Sequence, residues 1–225
     1  MIHLDGKVTW SLNKEVIEFI SEHTNPNSVT AETGIGDSTI ILSNLASAHY
    51  CFTPDEEEIS RCEKLLNDKS NFFPMQGFSQ NELPKFEKEL DLALVDGGHG
   101  YPLPTLDAFY FGRLLKIGGY LLIDDIQIWT GKLVVDMLKY DASWRLVRVY
   151  DRTAVFQKMQ EYEALEWNLQ PKVRELSRKL IYFRRVRLAL SLISRFRFRE
   201  LSSRLFQLKA RHSNTKKKIE KLNVK

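Results

Sequence analysis

Val29-Thr30-Ala31-Glu32-Thr33-Gly34-Ile35-Gly36-Asp37-Ser38 is the stretch whose reading decides the fold. A short strand with β-branched residues runs into a carboxylate, then a Gly-x-Gly turn, then Asp37 and Ser38 at the head of an apolar helix. Gly34 and Gly36 carry no Cβ, so the backbone there can turn sharply and approach a ligand closely. Two more hydrophobic strands end in carboxylates, at Asp96-Gly97-Gly98-His99 and at Asp124-Asp125. In an open α/β sheet such loops meet outside the carboxyl ends of the strands, where ligands bind.

Working outward, helical spacing predicts helices at Lys14–Glu22, Asp37–Ala46, Pro54–Leu66, Leu103–Lys116 and Trp129–Tyr140. Strands are expected at Val29–Thr33, His49–Thr53, Asn71–Gln76, Leu92–Val95 and Tyr120–Ile123. Leu92–Val95 is apolar throughout, as a strand covered on both faces should be. Gly118-Gly119 is read as the stop of the fourth strand's following helix. Trp144–Tyr150 and Thr153–Met159 alternate around Asp151-Arg152 and read as a hairpin. The expectation is an α/β, Rossmann-like, doubly wound seven-stranded sheet that closes with an antiparallel hairpin.

Composition is that of a globular protein, with 43% apolar and 28% charged residues. Cys51 and Cys62 are too few for a disulfide framework and fit a reducing compartment. The first residues lack an apolar signal core, and no apolar run approaches the ~18 residues of a membrane span. A cytoplasmic location is expected. The net charge of +4 hides an asymmetry: residues 171–225 hold 18 of the 33 Lys and Arg but 3 of the 29 Asp and Glu, a net +15. The remainder is acidic. The expected organisation is a domain at 1–160, a long basic helical extension at 161–211 and a disordered basic tail at 212–225.

Taken in order, these motifs resemble the class I S-adenosylmethionine (SAM)-dependent methyltransferases. Glu32 to Ser38 is similar to that family's first motif, and the hairpin to its last two strands. Asp96-Gly97-Gly98-His99, Asp107, Leu115-Lys116-Ile117-Gly118-Gly119 and Ile123-Asp124-Asp125 resemble small-molecule and sugar O-methyltransferases related to the macrocin-type enzymes. The resemblance spans roughly residues 25–158. It implies SAM held by Glu32, Gly34, Gly36, Asp37 and Ser38, and Mg2+ held by Asp96, Asp124 and Asp125. Hard cations take such oxygen ligands and lower the pKa of a bound hydroxyl.

The family's ribose-binding acid at the end of the second strand is replaced by Thr53. Either the Thr53 hydroxyl serves, or Asp55 reaches back, or Asp55 only heads the next helix. His99 is a candidate base, its reference pKa lying near neutrality, or a lining residue. Asp125 is a metal ligand or a cap of the helix near Trp129, and Trp129 covers the ligand or packs in the core. The resulting expectation is a metal-assisted O-methyltransferase acting on a sugar or small hydroxylated metabolite, with His99 and Asp96 in catalytic positions. Two rivals are a nucleic-acid methyltransferase, disfavoured by the acidic core, and a non-catalytic SAM-fold adaptor. For the extension, Leu176, Leu180, Phe183, Val186, Leu190, Ile193 and Phe196 suggest one apolar side facing arginines. It would pack on a protein surface, its own or a second subunit's in a homo-oligomer, contact anionic lipid peripherally through 171–211, or grip nucleic acid.

Overall fold

The computed structural model describes residues 12–67 and 70–194. The expected tail at 212–225, the extension from 195 onward, and with it Phe196, lie outside them. The chain divides into two units, Met1–Lys172 and Val173–Lys225. In the first unit the elements alternate: α1 (Lys14–His23), β1 (Val29–Thr33), α2 (Asp37–Leu45), β2 (Ala48–Thr53), α3 (Glu56–Leu65), β3 (Phe72–Gln76). They continue as α4 (Ser79–Glu82), β4 (Leu90–Val95), α5 (Leu103–Leu114), β5 (Leu115–Ile123), α6 (Trp129–Leu138), β6 (Trp144–Tyr150) and β7 (Thr153–Lys158).

The seven strands form one sheet in the order β3-β2-β1-β4-β5-β7-β6. β1 pairs in parallel with β2 and β4, while β7 runs antiparallel to β5 and β6. The strand order reverses between β1 and β4, so the loops after these two strands flank the switch point of the sheet.

Strand periodicity sends alternate side chains to opposite faces. Leu92 and Leu94 of β4, Leu122 of β5 and Val155 of β7 pack with Val16, Phe19 and Ile20 of α1 and Leu42 of α2. Ala93 and Val95, Leu121 and Ile123, and Ala154 and Phe156 pack on the other face with Phe111 of α5 and Val134 of α6. A third cluster seats Ile59 and Cys62 of α3 on Cys51 and Phe72, and both cysteines are free thiols. Tyr162 belongs to this body too: it packs edge-on against Trp144, and its ring fills the space beside Gly112.

Two expectations need correction. The helix expected to run to Lys116 ends at Leu114, and its strand begins at Leu115 rather than Tyr120. Leu115 already pairs with Leu90, after which the register slips and Leu92 pairs with Tyr120. Gly118, at φ 90°, therefore serves an irregularity within β5 and not a helix stop. Gly119 is needed there because a Cβ would lie 2.9 Å from the Asp91 carbonyl oxygen. The short α4 was absent from the sequence reading, since four residues carry no periodicity.

The second unit contributes α7, which begins within the first (Pro171–Ser194). Its apolar residues do not keep to one side as expected. Leu176, Leu180 and Phe183 share a face, but Val186 and Leu190 wind towards its flank, because three-residue steps outnumber four-residue ones.

Asp107 on α5 is fully buried, and neither carboxyl oxygen makes a close hydrogen bond. Burial pushes its pKa up to about 6, against the opposing pull of the Ser79 and Thr33 hydroxyls. A carboxyl raised in the folded state leaves stability intact at pH below the unfolded value and removes it as pH rises through the folded one. Wild type should therefore lose up to about 3 kcal/mol relative to Asp107→Asn between pH 4 and pH 7. Urea melts of both proteins across this range test it, and parallel stability profiles would refute the assignment.

Candidate functional site

Glu32 is the penultimate residue of β1 and is 1% exposed. A buried carboxylate needs donors, and it has three. Ser38 Oγ donates to Oε2 at 2.6 Å, His49 Nε2 donates to Oε1 at 3.1 Å, and the Thr39 hydroxyl donates to Oε1 as well. His49, from β2, is itself fully buried, with Nδ1 2.9 Å from Thr30 Oγ1. Thr39 closes the loop by accepting from the Gly36 N–H at 2.9 Å. Glu32 and Ser38 thus brace the glycine turn from beneath.

The turn itself is set by Gly34, whose φ of 84° suits glycine. A Cβ there would sit 2.5 Å from the Asp96 carbonyl oxygen, so the loops after β1 and β4 touch at this point. Gly36 is different: its backbone is extended, and a Cβ would meet nothing nearer than Ser38 Oγ at 3.5 Å. Asp37 opens α2, whose first N–H groups have no partner within the helix and favour an anionic group.

At the end of β2, Thr53 Oγ1 accepts from the Asp55 N–H at 3.2 Å. Asp55 caps α3, Oδ1 accepting from Glu57 and Glu58 N–H at 2.9 and 3.0 Å. The acid beside Thr53 is Glu58, half-buried, its pKa raised by burial and by Asp55, with Arg61 and the Thr53 hydroxyl acting the other way. Nothing in the linear pattern distinguished Glu58 from the acidic first turn around it.

Across the crevice, Asp96, His99 and Asp125 each place one ligand atom within 4.8 Å of the others. His99 Nε2 lies 3.1 Å from Asp125 Oδ2. The His99 carbonyl accepts from Thr130 Oγ1 at 2.6 Å, which ties this loop to α6. Asp125 adopts φ 51° and does not cap α6, which begins after Ile128 without a side-chain cap. Instead Oδ1 accepts from Gln127 Nε2 at 2.7 Å, and Gly131 makes room for the Asp125 backbone.

Asp124 stands beside this cluster, bound differently. Its Oδ1 accepts from the Thr153 hydroxyl, and Arg152 Nε lies 3.8 Å from Oδ2. Arg152 Nη1 also lies 3.9 Å from Asp125 Oδ1, and the Arg152 carbonyl accepts from the Ile126 N–H at 2.9 Å. The β6–β7 turn therefore latches onto the loop after β5 and brings a guanidinium to the two carboxylates. Burial raises the Asp124 pKa, offset in part by Thr153 and Arg152. Asp96 is pushed up further, first by burial and then by Asp124, Glu32 and Asp125. Trp129, 66% exposed, is not a core residue. Sequence reading missed His49, Arg152 and Thr153, which act from neighbouring strands or their turn, and Thr39 and Glu58, which act from the first turns of the helices after β1 and β2.

Residues 31–126 match a family model described as a methyltransferase domain. No curated protein sequence matches the chain. Among solved structures, the O-methyltransferase NovP aligns with a TM-score of 0.56 at 15% identity, over 65% of this chain and 79% of its own. An rRNA methylase from Streptococcus thermophilus aligns at 0.51 and 18%, over 65% and 95%. A Streptococcus mutans protein described as a methyltransferase, solved in complex with SAH, aligns at 0.52 and 18%, over 66% and 100%. At these identities the likeness is one of fold. Residues 31–126 therefore resemble a methyltransferase domain, on a sheet whose fold is shared with these solved structures.

Proposed function

We propose that the chain moves a methyl group from SAM to a hydroxyl oxygen of a sugar or small hydroxylated metabolite, with Mg2+ or a similar divalent cation at the acceptor side. The observation that carries this reading is the convergence of Asp96, His99 and Asp125. The donor set fits a hard cation: the Asp96 and Asp125 carboxylates, with Asp96 held in a field of negative charge that a cation would relieve and His99 beside them as the base. A bound cation would orient the acceptor oxygens and favour the alkoxide form of the attacking hydroxyl.

The remaining steps belong to the chain's own groups. The backbone from Gly34 to Asp37 receives the amino acid head of SAM, with Glu32 fixing the turn from below. Thr53 and Glu58 take the place of the acid that ends the second strand in the related enzymes and face the ribose diol. Asp125 orients His99 through Nε2, leaving Nδ1 to accept the hydroxyl proton as oxygen bonds to the methyl carbon and the carbon–sulfur bond breaks. Arg152 limits the mutual repulsion of Asp124 and Asp125. Positioning and charge placement carry most of the barrier reduction. The acidic body disfavours a polyanionic acceptor.

Two glycine variants separate folding from binding. Gly36→Ala should fold and melt like wild type but bind SAM at least about tenfold more weakly, a loss of ~1.4 kcal/mol. Gly34→Ala should instead lower the melting temperature, because its Cβ strikes the Asp96 backbone. Calorimetric titration and thermal melts give both readings, and full SAM affinity in folded Gly36→Ala would remove the cofactor assignment.

Once an acceptor is in hand, turnover should vanish in excess chelator and return with added Mg2+ or Mn2+. Asp125→Asn should lower kcat by about 100-fold with SAM affinity retained. Undiminished turnover in chelator would exclude the cation and leave the Asp125–His99 pair as the whole proton-accepting apparatus.

A further inference from the structure

We propose that α7 is a docking element for an anionic lipid surface, so that the methyltransferase body is held at a membrane. Within Pro171–Ser194 stand seven basic residues, Lys172, Arg174, Arg178, Lys179, Arg184, Arg185 and Arg187, against one acid, Glu175. Lys179 Nζ is paired with that acid. The same helix exposes large apolar side chains: Leu180 at 71%, Phe183 at 66%, Tyr182 at 64% and Leu190 at 62%. Exposure of this kind on a helix is a sign of a missing partner.

The arrangement of charge and apolar groups says what kind of partner. At 3.6 residues per turn, Val173, Leu176, Leu180 and Phe183 fall on one face. Arg174, Arg178 and Arg185 fall on the opposite face. Lys172 and Lys179 lie along one flank and Arg184 along the other, where long side chains reach past an apolar face to headgroups. Leucines and a phenylalanine on one face, with cations at the flanks and behind and Arg187 at the C-terminal end of that face, where its long side chain can reach outward to headgroups, suit the boundary between headgroups and acyl chains. Tyr182 adds an aromatic ring with a polar tip.

Other occupants fit less of this. RNA phosphates would pair with the arginines but gain nothing from Leu176, Leu180, Ile181 and Leu190. A second copy of the helix would bring the same excess of positive charge against its own, with Arg187 on the Leu180 face. A transmembrane role is excluded for the described helices, none of which is long and apolar enough to cross a bilayer. An interfacial helix needs no such length of apolar sequence.

The test is co-flotation of the full chain with phosphatidylcholine vesicles, with and without phosphatidylserine, at low and high salt. Binding should require phosphatidylserine and weaken steeply with salt. The double variant Leu180→Glu, Phe183→Glu should bind at least about tenfold more weakly with SAM affinity unchanged. Arg178→Gln with Arg185→Gln should weaken binding to anionic vesicles while leaving the apolar face intact, which keeps the test valid should the glutamate pair aggregate. SAM binding is read separately, so failure here is distinct from failure of the methyltransferase assignment. No flotation at low salt, equal binding to neutral vesicles, or binding indifferent to both variants would overturn the proposal. So would a dimer that the glutamate pair dissociates, or tight binding of single-stranded RNA by protein that ignores vesicles.

Discussion

The Glu32 carboxylate is the constraint on which the cofactor side of this molecule depends. Removed from water, its oxygens need hydrogen-bond donors, and its three come from different places in the chain. Ser38 and Thr39 begin α2, and His49 lies on β2. One charge therefore fixes the start of a helix and the pairing of two strands around a single turn. Losing one donor would strand the others' acceptor, which is why such networks are all-or-none in effect. The glycine turn is consequently braced from beneath, with Gly34 pressed against the Asp96 carbonyl and Gly36 with room for a methyl group beside Ser38 Oγ.

The cluster of Asp96, His99 and Asp125 follows an opposite rule. There the carboxylates are deliberately crowded, and burial makes the crowding worse for Asp96. Arg152 moderates Asp124 and Asp125 but its distances of 3.8 and 3.9 Å are those of loose ion pairs. Thr153 and Gln127 satisfy one oxygen each. What remains is a concentration of negative charge around Asp96 and His99 that is stable only with a proton or a cation. Under the proposed function, such a site is suited to taking up the proton of an acceptor hydroxyl.

Much of the sheet was legible because hydrophobic strands between turns announce themselves. Val29–Thr33 falls where expected to the residue, and the hairpin at Trp144–Tyr150 and Thr153–Lys158 nearly so. β5 was misread at its start because Gly118-Gly119 has the chemistry of a helix stop and is used instead within a strand. Its true beginning is set by pairing with Leu90, a long-range fact without a local signal. The strand-end carboxylates were legible for the same reason as the strands. Their partners were not: His49 looks like one more residue of β2, and Arg152 like one more polar turn residue, until the sheet brings each to its carboxylate.

The end of β2 shows how a missing motif residue need not be a missing function. Thr53 stands where the related enzymes have an acid, and Asp55, the nearest carboxylate in sequence, is committed to capping α3. A helix that starts there projects its third residue back over the strand end. Glu58 occupies that place, and its carboxyl is drawn upward by burial and by Asp55, as a group turned in from solvent would be. The cap is what makes this geometry dependable, because Asp55 fixes where α3 begins and hence where Glu58 points. An acid in the first turn of the next helix, held in place by a second acid that caps it, can thus stand in under the proposed function for one missing from the strand.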